Sequence, residues 1–116
     1  MRGDLPGVYT SMPAEVPDAL HGRDAVVVGA SSGAVDAVLR LAGCCRSVTY
    51  VTERATRIAA LRGRANISIL YGSEIVCVDG IEHLESVVLR RIRGGGITAR
   101  CAAALFLINE SNGEPS

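Results

Sequence analysis

Residues 24–29 read Asp-Ala-Val-Val-Val-Gly, an unbroken apolar run closed by a glycine. A run with no polar alternation fits a strand covered on both faces, as in a parallel sheet. The rhythm then changes. Ala34, Val35, Val38, Leu39, Leu41 and Ala42 fall at spacings of three and four, which predicts a helix over roughly 32–43 with one broad apolar face. Ser31 or Ser32 can cap its start, and Gly43 marks its end. Strands are expected again at 48–52 and 66–71, separated by a short Arg-rich helix or turn over 55–63. Strand, helix and strand within about thirty residues make a βαβ unit.

Beyond Gly72 the pattern becomes alternating. Segments 74–78, 84–92 and 97–101 are divided by Asp79-Gly80 and by Gly94-Gly95-Gly96, which predicts an antiparallel meander with one wet face. Residues 102–108 are apolar again and suit a last buried strand. The ends differ from this middle. Pro6, Pro13 and Pro17 make residues 1–20 an extended lead-in without regular elements, although Leu5, Val8, Tyr9 and Met12 are able to pack on a neighbour. The tail from Asn109 to Ser116 is polar and reads as loop.

Composition narrows the chemistry. A chain of 116 residues holds one domain with a modest core. The division expected is a connector over 1–20 and one α/β domain over 21–116. All twelve basic residues are arginine, balanced by twelve acids, so lysine-dependent phosphate loops and Schiff bases are excluded. Zero net charge and few aromatics argue against a nucleic-acid partner. No apolar run approaches the ~18 residues of a membrane span, and no signal segment opens the chain, so a cytoplasmic location is expected. Cys44, Cys45, Cys77 and Cys101 form no C-x-x-C pair and are expected to be small buried or half-buried hydrophobes. His21 and His83 sit in turn-like segments as surface residues. No catalytic set and no metal cluster is written in the sequence.

One motif carries chemistry. A dinucleotide turn has the form G-x-G-x-x-G/A directly after a strand. Here those positions are Gly29, Ser31 and Ala34, within Gly29-Ala30-Ser31-Ser32-Gly33-Ala34. Amides at the start of the following helix would face a pyrophosphate, aided by the helix dipole. A second diagnostic lies some twenty residues on, where an acid favours NAD and an arginine favours NADP. The sequence there is Thr52-Glu53-Arg54, followed by Arg57, and the arginines tip the balance slightly toward NADP.

In order and content these motifs resemble the pyridine-nucleotide-binding domain of the thioredoxin reductase-like flavoproteins, the pyridine nucleotide-disulfide oxidoreductases. The lead Leu20-His21-Gly22-Arg23-Asp24, the Val26–Ala34 turn, Val48–Arg54 and the closing Ala104–Ile108 strand with Gly113-Glu114-Pro115-Ser116 carry the resemblance. It implies a Rossmann-like α/β domain with a small parallel sheet, a helix on one side and a three-stranded meander on the other. It further implies NAD(P)H held by Gly29, Ala30, Ser31, Ser32, Gly33 and Ala34 at the pyrophosphate. Thr52, Glu53, Arg54 and Arg57 would hold the adenosine end, with Ile108 and Asn109 near the nicotinamide. FAD, and the FAD-binding domain or subunit, would belong to a larger parent protein, and a homodimer is a further expected partnership. The redox C-x-x-C of that family is absent, so the module alone is not expected to turn over. The alternative is a degenerate module without cofactor, acting in docking or dimerisation.

Overall fold

In the computed structural model, residues 6–11, 13, 15–30, 32–52, 61 and 63–108 are described. The parallel strands are β1 (Val8–Tyr9), β2 (Asp24–Val28), β3 (Ser47–Thr52), β4 (Ile67–Tyr71) and β8 (Ala104–Leu107). They lie side by side in the order β1-β8-β2-β3-β4. The helix α1 (Ser32–Ala42) joins β2 to β3. Strands β5 (Ser73–Asp79), β6 (Ser86–Arg91) and β7 (Ile97–Cys101) form a separate antiparallel sheet. The α/β, Rossmann-like architecture expected from the sequence is therefore present.

The unbroken apolar runs have a direct explanation in two-sided burial. Successive side chains of a strand point to opposite faces. Ala25 and Val27 of β2, Val48 and Tyr50 of β3, and Ala104 and Phe106 of β8 face α1 with Ala34, Val35, Ala37, Val38 and Leu41. Val26, Val51 and Leu105 face the other way, onto Val78, Leu84, Val87 and Leu89 of the meander side. A polar residue in these central strands would be buried whichever way it pointed. The meander covers the sheet on one side only, which is why its own strands alternate.

The expectation that residues 1–20 contribute no element is corrected. Val8 and Tyr9 pair with Leu105 and Phe106 as an edge strand, and Asp18–Leu20 forms a 3-10 turn. Stacking supplies the reason: the Tyr9 and Phe106 rings lie 4.6 Å apart and nearly parallel. Proline does not forbid an edge strand, because one side of such a strand needs no donor. The short element expected over 55–63 and the loop over 109–116 fall largely or wholly outside the described residues.

Two polar contacts fix the ends of the βαβ unit. Asn66 Nδ2 donates to the carbonyls of Ala42 at 2.8 Å and Cys45 at 3.3 Å, satisfying groups that the end of α1 leaves open. At the start of β2, Asp24 accepts from Arg46 Nε at 3.1 Å, Arg46 Nη2 at 2.6 Å and Ser47 Oγ at 2.6 Å. The Arg46 hydrogen bonds, aided by Ser47, hold the Asp24 carboxyl below its ordinary value.

The cysteines divide. Cys45 is buried and Cys44 half-buried, as expected, and burial beside Cys44 pushes the Cys45 thiol up to about 12. Cys77 and Cys101 are exposed instead, because both lie on the uncovered face of the meander, opposite Val88 and Ser86. His21 and His83 are exposed, and no helix among the described residues is long and apolar enough to cross a membrane.

A depressed carboxylate stabilises the fold above its unfolded value and loses that contribution as pH falls through the folded value. Acid titration of stability should therefore show an Asp24 contribution lost below about 3.8. Asp24→Asn should cost about 1 kcal/mol at neutral pH, given the exposure of Arg46. Chemical denaturation of both forms between pH 7 and 3 should show the difference shrinking with acid.

Candidate functional site

In open α/β sheets, ligands lie outside the carboxyl ends of the strands, where the strand order reverses direction. Here β2 leads through α1 to β3 on one side, while β8 pairs with β2 on the other. The reversal point is thus the crevice beyond Val28 and Leu107. A cleft of about 470 Å³ opens there, lined by Val28, Gly29, Ala30, Val51, Thr52, Ser73, Glu74, Ile75 and Leu107. Its floor is apolar, and Thr52, Ser73 and Glu74 are the polar residues in its lining. A cavity of this size with a few convergent polar groups is the usual form of a small-molecule site.

Gly29 holds the geometry together. It donates its N–H to the Val51 carbonyl at 3.1 Å, and Ile108 donates to Val28 at 2.9 Å, so the parallel ladder continues past β2 on both sides. A Cβ placed on Gly29 would lie 2.8 Å from Ala34 Cβ and 2.9 Å from the Ile108 carbonyl oxygen. No left-handed φ is involved. The glycine is required because the strand end, the first turn of α1 and the end of β8 meet at one point. Ala34 is fully buried in that contact and acts in packing instead of facing the cleft. Gly33, the second residue of α1, is half-buried.

At the opposite wall Thr52 is buried, and the Gly72 N–H donates to its carbonyl at 3.2 Å. Tyr50, one turn of the pleat earlier on β3, is wholly buried. Burial raises the Tyr50 phenol above its ordinary value, against an opposing influence from Thr52. Glu74 is neutralised by Arg90, whose Nε donates to Glu74 Oε2 at 3.0 Å and whose Nη2 donates to the same oxygen.

The structure therefore brings together Gly29, Ala30, Thr52 and, beside them, Ile108 from among the residues singled out in the sequence. Ser31, Glu53, Arg54, Arg57 and Asn109 lie outside the described residues, as does the side chain of Ser32. Sequence reasoning missed Ser73, Glu74 and Ile75. They follow Gly72, whose φ of 67° turns the chain from the parallel sheet into the meander. That glycine directly after an apolar strand was the available signal. Among the described residues no group of acidic, histidine or cysteine side chains is arranged to hold a metal ion.

Gly29→Ala should be felt in the fold as well as the site. Either Ala34 or Ile108 must move, and overpacking of this kind costs about 1–3 kcal/mol. Thermal melts should show that loss, and the paired change Gly29→Ala with Ala34→Gly should recover part of it.

No protein-family model matches the sequence, and no curated protein matches it. Solved structures do match. A thioredoxin reductase from Giardia duodenalis superposes with a TM-score of 0.78 at 24% identity, over 89% of this chain and 36% of that one. The Lactococcus lactis thioredoxin reductase gives 0.74 at 24% identity over the same shares. The bacillithiol disulfide reductase of Staphylococcus aureus gives 0.70 at 17%, over 93% of this chain and 35% of the other. The chain spans about a third of the length of these proteins, and its fold is that of one domain of the thioredoxin reductases.

Proposed function

We propose that this chain is the NAD(P)H-binding module of a flavin-dependent oxidoreductase similar to the thioredoxin reductases. The observation that carries this reading is the placement of the Gly29–Ala34 turn. It lies at the carboxyl edge of the sheet, beside the crevice where the strand order reverses, and leads into α1. A pyrophosphate resting on the first turn of α1 would gain from the helix dipole. Gly29, Ala30 and Gly33 keep that approach open. Thr52 would then stand on the side of the adenosine ribose, and Leu107 and Ile108 on the nicotinamide side.

Such a module supplies position. The hydride chemistry would belong to the nicotinamide and to a flavin held by a partner domain. The apolar floor formed by Val28, Val51, Ile75 and Leu107 would exclude water from one face of the bound dinucleotide. Glu74, already paired with Arg90, would add little repulsion toward a phosphate.

Calorimetric titration with NADPH and NADH tests the reading. Binding of at least one, with an affinity reduced tenfold or more by Gly33→Val, is the expected result. Absence of binding by both at millimolar concentration would leave the fold without this function.

A further inference from the structure

We infer that the arginines of the β6–β7 turn, Arg91 and Arg93, read the 2′-phosphate of an NADP-type dinucleotide; this inference rests on the function proposed above. The cleft does not end at Ser73. The same residue lines a second hollow of about 430 Å³, with Leu70, Tyr71, Arg91, Thr98 and Arg100 in its wall. Tyr71 and Arg91 also line a third, of about 490 Å³, with Gly72, Ile92 and Arg93. The three hollows are neighbours, with Ser73 in the walls of the first two and Tyr71 and Arg91 in the walls of the last two.

Backbone hydrogen bonds fix this arrangement. Ile92 donates to the Gly72 carbonyl at 2.8 Å, and Gly72 donates to Thr52 at 3.2 Å. The Arg91–Arg93 turn is thus two bonds away from the strand end where the adenosine ribose would lie. The turn itself is closed by Arg91 N–H to Gly96 at 2.8 Å and Gly95 N–H to Arg91 at 3.1 Å.

Charge and surface then select the ligand. Arg90 is paired with Glu74, and Arg100 touches the Thr49 hydroxyl at 3.5 Å. Arg91 and Arg93 are both exposed, and among the described residues neither has an anionic partner. Glu74 stands at this end but is held by Arg90, and the other acids of the meander among the described residues, Asp79, Glu82 and Glu85, stand at its other end. A guanidinium suits a phosphate because its planar fork gives parallel N–H donors. Beside it, Tyr71 and Ile92 are 49% and 54% exposed, an apolar face on which a flat base can lie. Phosphate and base together describe a 2′-phosphorylated adenosine.

The test compares NADPH with NADH on the whole chain and on Arg91→Gln/Arg93→Gln. The wild type should prefer NADPH. The double variant should lower the ratio of NADPH to NADH affinity about tenfold or more, the scale of losing charge-assisted hydrogen bonds. The wild-type preference should also shrink as salt is raised, since these groups are exposed. Using the ratio keeps a general loss of folding from imitating the effect. Failure of both dinucleotides to bind would overturn the function and this inference with it. Binding of NADH without any preference for NADPH, or a preference that survives in the double variant, would overturn this inference alone.

Discussion

The structure depends on one close approach, that of the β2 end to α1 and to the segment after β8. Only a residue without a Cβ fits between Ala34 and Ile108. That contact sets the distance between helix and sheet, and so fixes where the first turn of α1 stands over the sheet's carboxyl edge. The crevice exists because β8 and β3 flank β2 on opposite sides while their connections leave in opposite directions. Packing and the candidate site are therefore one geometry: the glycine that lets the core close also stands in the wall of the cleft.

Two-sided burial is the second constraint. With α1 on one face and the meander on the other, the central strands carry Val, Leu, Ala, Tyr and Phe nearly without interruption. Thr49 and Thr52 are the buried polar exceptions. Thr49 meets Arg100 at the groove between the sheets, and Thr52 stands at the cleft. Polar groups thus break the apolar pattern where the two sheets part and a ligand has room to enter.

Much of this was legible in the sequence, for reasons tied to particular residues. The Val run at 26–28 declared a doubly covered strand, the three-and-four spacing from Ala34 to Leu41 declared α1, and the glycines at 80 and 94–96 divided the meander. Strand β1 was hidden, because its pairing depends on a ring stack between Tyr9 and Phe106, almost a hundred residues apart, which no local pattern records. The cleft was half legible. Its glycine turn after β2 has a local motif, whereas Ser73, Glu74 and Ile75 reach the site only through the chain reversal at Gly72. No local pattern marks the arginines of the β6–β7 turn, which the Ile92–Gly72 hydrogen bond brings beside the strand end. The exposure of Cys77 and Cys101 was likewise set by which face of the meander remained uncovered.

The central claim is that the Gly29–Ala34 turn and the crevice beside it hold a dinucleotide. Two-dimensional amide spectra of the labelled protein, recorded with increasing NADPH, address it directly. The account predicts saturable shifts at residues 29–34 and 72–75, with the amides of Val88 and Ala99 on the far face of the meander left in place. Shifts confined to that far face, or none at residues 29–34, would contradict it.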